Sequence, residues 1–302
     1  MSTATLTAAN PCSICSATTA WKSIYGDGVI RCMTCQPPPA KLLVGSVLDL
    51  VNGEWVPRAT PAAASRPIPQ ASSAAVSYRI DEAEIRRAWS LFIGDGQVTE
   101  LRAFNCSIDS ERWRTGIYSG YFDNVDAFVA ACRHITKASS ICFVPNPVDP
   151  ALLARSCNRA RIVRDREPLT MDKDIVRRRW LLVDVDSVRA VGISATAAER
   201  EAARVVVLNC DYELWEKGFP KGHFCDSGNG WHLLIPIHKP AETKFCENTL
   251  KMLAKRCDTD SAKVDTAVGN AARIWKLPGT LACKGDHCPE IGREWRMARI
   301  MS

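Results

Sequence analysis

Past residue 80 the apolar positions settle into regular periods. Ile85, Ala88 and Trp89 share one helical face after Asp81, and the Gly94-Asp95-Gly96 turn then leads into residues 98–104, where polar and apolar side chains alternate. That alternation predicts a half-buried strand with Glu100 and Arg102 on one side. A helix is predicted over residues 124–132 and a strand over 141–144, which Pro145-Asn146-Pro147 stops. Residues 180–186 read as a buried strand that turns acidic at its carboxyl end. Period two puts Asp184 and Asp186 on the face of Leu182, with Val183 and Val185 in the opposite layer. The next helix opens with a capping box, Thr196 with Glu199, and turns Ala203, Val206, Cys210 and Leu214 inward before Gly218 and Pro220 end it. A later helix aligns Cys246, Leu250, Leu253 and Cys257 on one face. Helices and strands thus interleave, and the fold class is α/β (α+β).

Ahead of this patterned region the chain changes character. Residues 57–75 are dominated by Pro, Ala and Ser and hold too few large apolar groups to pack, so they read as a tether. The expected division is a small module over 1–56, a linker over 57–78 and a core over 79–302. No apolar run approaches the ~20 residues of a membrane span, and the first residues lack the basic and apolar regions of a secretory signal, so the chain is expected to be cytoplasmic with no membrane partner. Its formal charge of +6 permits nucleic-acid or nucleotide binding. A run of arginines, Arg155, Arg159, Arg161, Arg164, Arg166, Arg177, Arg178 and Arg179, reads either as a solvated face or as a surface that follows phosphates.

Of the 14 cysteines, ten sit in apolar or helical contexts and are expected to be small buried hydrophobes. Cys12 and Cys15, with Cys32 and Cys35, form two CxxC hooks suited to one tetrahedral structural Zn²⁺, whose binding supplies folding energy that so small a module lacks. Trp21, Lys22, Tyr25 and Arg31 between the hooks could stack on bases and meet phosphates, or merely cover the metal. In the core, paired Asp184 and Asp186 call for a neutralising arginine or a divalent ion such as Mg²⁺ or Mn²⁺. The Ser227-Gly228-Asn229-Gly230 turn offers donors to a phosphate, with His232 at the head of the following strand; no GxSxG elbow surrounds Ser227, which argues against serine hydrolysis. Asp265 presents a third carboxylate, enough for two divalent ions and in-line phosphoryl transfer. Arg273 and Lys276 are expected to grip a triphosphate or template, with Lys284 a further cation nearby.

The order Asp184-x-Asp186, Ser227-Gly-Asn-Gly-x-His232, Val264-Asp265 and Arg273-x-x-Lys276-Leu-Pro-Gly-Thr resembles the archaeo-eukaryotic primase superfamily, in particular the primase-polymerases of bacterial phages, plasmids and other mobile elements. The resemblance spans residues 79–299. It implies a catalytic core with an RRM-like module, catalytic and metal-binding roles for Asp184, Asp186 and Asp265, and nucleotide-phosphate contacts from Ser227, His232, Arg273 and Lys276. It also implies a single-stranded DNA template, nucleoside triphosphates as substrates and a core that acts as a monomer. No Walker-type phosphate loop is present, so a helicase partner would be a separate protein or lie beyond residue 302. The competing readings are a polymerase that only extends existing ends, a non-catalytic zinc-containing replication initiator, and a metal-dependent nuclease.

Overall fold

A computed structural model describes residues 78–108, 116–164 and 167–301, with the backbones of four short strands nearer the amino terminus. The chain divides into two compact units, Met1–Gln70 and Ala71–Ser302. In the first, β1 (Thr19–Lys22), β2 (Ile30–Cys32), β3 (Val47–Val51) and β4 (Glu54–Pro57) form an antiparallel sheet in the order β2-β1-β3-β4. Val51 pairs with Glu54 across β3 and β4. Cys32 is the last residue of β2. Cys12, Cys15 and Cys35, and with them the expected zinc site, lie outside the described residues, as do residues 58–77.

The second unit is mixed α+β. It begins with α1 (Glu82–Ala88), whose first turn is capped by the Asp81 carboxylate accepting from Glu84 N at 3.2 Å. One π-helical turn, Trp89–Ile93, prolongs it to Gly94, which closes it at φ +79°. There follow β5 (Thr99–Ile108), β6 (Gly116–Phe122), α2 (Val125–Arg133, capped by Asn124), β7 (Ile135–Lys137), β8 (Ser140–Phe143) and β9 (Arg159–Ile162). The chain continues through β10 (Arg178–Ser187), α3 (Ala197–Glu216), β11 (His223–Asp226), β12 (Trp231–Lys239), α4 (Phe245–Cys257) and β13 (Ala262–Val264). Four two-residue strands end it: β14 (Trp275–Lys276), β15 (Leu281–Ala282), β16 (Arg296–Met297) and β17 (Arg299–Ile300).

Two sheets organise these elements. One runs β14-β8-β5-β6-β9, with β7 also on β5; the other runs β13-β10-β12-β11-β17 and is antiparallel throughout. The β10-α3-β11-β12-α4-β13 stretch is therefore a β-α-β-β-α-β unit of two split crossovers, with its first and third strands in the middle. Along β10, Leu181, Val183 and Val185 are fully buried on the side of α3 and α4. The alternate face meets the first sheet's helical layer, where Trp180 Nε1 donates to Phe92 O at 3.0 Å and the two rings pack edge to face.

Burial exceeds expectation along β5. It lies inside its sheet between β8 and β6, so Glu100 is fully buried rather than half exposed, and its carboxylate accepts from Arg102, Ser119 Oγ (2.6 Å) and Thr170 N (3.1 Å). Much of the arginine run is structural. Arg178 donates to Ala241 O (3.1 Å) and Gly269 O (2.6 Å), Arg179 to Gln97 Oε1 (3.0 Å), and Arg161 pairs with Glu167, whereas Arg159, Arg164 and Arg177 are exposed. Among the ten described cysteines, Cys106, Cys132, Cys142, Cys210, Cys225, Cys246 and Cys257 are buried free thiols; Cys157 is exposed and Cys283 and Cys288 are intermediate, a partial departure from ten buried hydrophobes. Among the described residues no helix is long and apolar enough to cross a membrane.

Candidate active site

Strand pairing brings the chemistry to one end of the second sheet. Asp184 on β10 lies directly opposite His232 on β12, and the backbone N–H of Asp265, just past β13, donates to Asp184 O at 2.8 Å. The turn before β12 is locked from several sides. Arg200 of α3 pairs with Asp226, whose Oδ1 accepts from Gly228 N at 2.8 Å, while Ser227 Oγ accepts from Gly230 N at 2.9 Å and Asn229 Oδ1 from Ala195 N at 2.9 Å. Gly228 sits at φ +89°. Gly230 is required by proximity, because a Cβ there would lie 2.4 Å from Val185 O and 2.6 Å from Asp186 Oδ1. The N–H groups of Gly228 and Gly230 thus spend their hydrogen bonds inside the turn.

Asp184, Asp186, Ser227, Asn229 and His232 line a cleft of about 340 Å³ with Lys276, Ala282, Cys283 and Lys284, and across it stand Ser139 and Ser140 at the head of β8. Burial, then the charges of Asp186 and Asp265, push the Asp184 carboxyl well above its usual range, against the pull of Lys284 and Arg273. Asp186 is neutralised from one side: Arg189, with its side chain only 5% exposed, reaches Asp186 Oδ1 at 3.3 Å and Ser187 Oγ at 2.8 Å. The arginine expected to compensate the acidic pair is therefore present, and it leaves Asp184 to find another partner.

His232 is buried under Trp275, with ring centroids 4.1 Å apart. Burial, then the Lys276 charge, bring its pKa down to about 3, so the ring is neutral near pH 7. Its Nε2 stands 3.5 Å from Asp184 Oδ1, and its Nδ1 is buried without a partner. We assign the proton to Nε2, which aims the donor at the cleft and leaves only a lone pair unpaired inside. Lys276 donates to Leu281 O at 2.7 Å, and burial lowers its pKa from 10.5 to about 8.

The other expected residues stand apart from the cleft wall. Asp265 caps a short turn, its Oδ1 accepting from Ala267 N at 2.8 Å, and Arg273 donates to Ala267 O while its Nε is buried unpaired. Both bear on the Asp184 carboxyl through their charge, and Asp265 also holds the Asp184 backbone through its N–H. Among the described residues no three His, Cys, Asp or Glu side chains are arranged to hold a metal. The donors still suit a magnesium-like ion, which is commonly held by one or two carboxylates with substrate phosphates completing its shell; crowding at Asp184 marks where positive charge is wanted. Sequence reasoning missed Ser139, Ser140 and Arg189, and left Lys284 unassigned. Only Arg189 carried a signal, three residues after Asp186 and so within reach of it.

No family model matches the chain, and no curated protein matches it. Among solved structures it is similar to the polymerase domain from Mycobacterium tuberculosis ligase D in complex with DNA, at 14% identity and a TM-score of 0.40, over 66% of this chain and 74% of that one.

Proposed function

We infer that this chain is a metal-dependent nucleotidyltransferase, a primase-polymerase that joins nucleotides from nucleoside triphosphates to a 3′-hydroxyl on a single-stranded DNA template. One observation carries the reading: two carboxylates, a neutral histidine and two lysines, from three separate stretches of chain, line one cleft. The β-α-β-β-α-β unit beneath it, with its first and third strands in the middle of the sheet, supports the same reading.

Asp184 and Asp186 are the residues that would hold Mg²⁺ or Mn²⁺. When bound, such an ion offsets charge on the reacting phosphate and lowers the pKa of the attacking hydroxyl. Arg189 keeps Asp186 in place, and Gly230 leaves its carboxylate room. Lys276 and Lys284 supply positive charge for a triphosphate, and His232 Nε2 and the Ser227 hydroxyl supply neutral donors that fix its position. Asp265 and Arg273 join the reading as flanking groups that tune Asp184, and recruitment of Asp265 to a metal requires its carboxylate to leave Ala267 N. The amino-terminal thiolates Cys12, Cys15, Cys32 and Cys35 are proposed to hold a structural Zn²⁺ in a module that helps engage the template, and a helicase is proposed as a separate partner.

The test is incorporation of labelled nucleotides on unprimed and primed single-stranded DNA with Mg²⁺ or Mn²⁺, comparing wild type with Asp184→Ala/Asp186→Ala. Products from wild type alone support the assignment. Equal turnover by the double variant overturns it. Products on primed DNA only identify an extension polymerase, and DNA binding without incorporation on either template points to an initiator.

A further inference from the structure

Helix α3 has two apolar faces. Ala203, Val206, Val207, Cys210 and Leu214 are buried in the core. On the opposite side of the cylinder, at intervals of three, four and three residues, stand Val205, Leu208, Tyr212 and Trp215, exposed by 48, 41, 56 and 64%. Single exposed apolar residues need no explanation, but four in one contiguous stripe mark a contact surface. The three-four-three interval is the seam along which two helices pack.

We propose that this stripe pairs antiparallel with the same stripe of a second copy of the chain, forming a twofold dimer. The stripe itself specifies that occupant. Its smaller members, Val205 and Leu208, precede its larger ones, Tyr212 and Trp215, along α3. Antiparallel pairing sets Val205 against Trp215 and Leu208 against Tyr212, so each layer joins a large side chain to a small one and the helices stay evenly spaced. Parallel pairing would stack Trp on Trp and Val on Val and splay them. Charge agrees: Arg204, which pairs with Glu201 of its own helix, comes level at one end with Glu216 of the other copy, where a parallel pair would set like charges side by side. The contact is isologous, as a closed dimer requires. Tyr212 is already fixed, its hydroxyl donating to Glu216 at 2.6 Å and its ring 6.0 Å from Trp215, so little side-chain freedom is lost on pairing.

The buried face of α3 rests on the side of the second sheet away from Asp184, so both clefts stay open in the dimer. The inference is independent of the nucleotidyl reading, and it departs from the expectation of a monomeric core.

The experiment is sedimentation velocity on the full chain across a concentration series. Wild type is expected to shift from monomer to dimer mass. Leu208→Glu should weaken association at least about tenfold, with an unchanged circular dichroism spectrum, because the site is solvent-exposed. Val205→Trp and Trp215→Val should each weaken the dimer, and the double variant Val205→Trp/Trp215→Val should restore it, since the exchange preserves every antiparallel layer. A wild type that stays monomeric throughout, a Leu208→Glu variant that dimerises as wild type does, or a double variant no better than the single ones overturns the proposal.

Discussion

Lys276 sits close to the point where its charge is lost. With a folded pKa of about 8 against the usual 10.5, its ammonium is present at neutral pH and disappears as pH rises through 8. The proposed triphosphate grip should weaken in that window, and kcat/KM, which reports the free enzyme, should fall above pH 8. Lys276→Arg keeps its charge at those values and should flatten the basic limb in steady-state profiles over pH 6.5–9.5. Asp184 behaves in the opposite sense. Its carboxyl is held above the usual range by burial and by Asp186 and Asp265, so the ionised form is a strained guest. Asp184→Asn should abolish incorporation and yet raise the melting temperature by ~2–4 °C, the shift expected for about 1 kcal/mol in a chain this long; calorimetry beside the activity assay checks both. Period-two spacing made Asp184 and Asp186 legible as a pair, and the strand start made His232 conspicuous. Ser139 and Ser140 were not, because short polar turns next to strands are common and only tertiary approach selects these.

Elements with a full period were readable, and those without were hidden. The Thr196–Glu199 capping box and the inward stripe of α3 are present as the sequence indicates. By contrast β14, β15, β16 and β17 have two residues each, too few to show any alternation, and the π-turn after α1 arises where an apolar run meets Gly94. The turn before β12 is the element on which the cleft depends most. In Gly230→Ala the new methyl would collide with backbone at Val185 and with the Asp186 carboxylate. Destabilisation of about 1–3 kcal/mol is expected from such overpacking. Incorporation should fall further than denaturation midpoints alone would account for, because Asp186 is displaced from Arg189. At the amino-terminal module, metal analysis should find one Zn²⁺ per chain, lost in Cys12→Ser/Cys15→Ser.

On the scale of the molecule, β10 ties the two sheets together. Its amino end is anchored by Arg179 and Trp180 to the loop and helical layer beside the first sheet and by Arg178 to Gly269 O next to α4, and its carboxyl end carries the acidic pair. The broad α+β class was visible in the sequence while the pairing of distant β14 with β8 was not: nothing local to Trp275 encodes its neighbour Phe143. The sealed thiols add one consequence. Burial drives Cys106 up to about 12, and Cys132, Cys210 and Cys225 also rise far above the ordinary thiol value, so reagents that need thiolate pass them by while the core is closed. Cys157 is exposed, and Cys283, raised to about 11, lines the cleft. Alkylation followed by mass spectrometry would therefore run as a clock with three hands: Cys157 marks the start of exposure to reagent, Cys283 marks the intervals when no substrate fills the cleft, and the core thiols mark each opening of the whole fold.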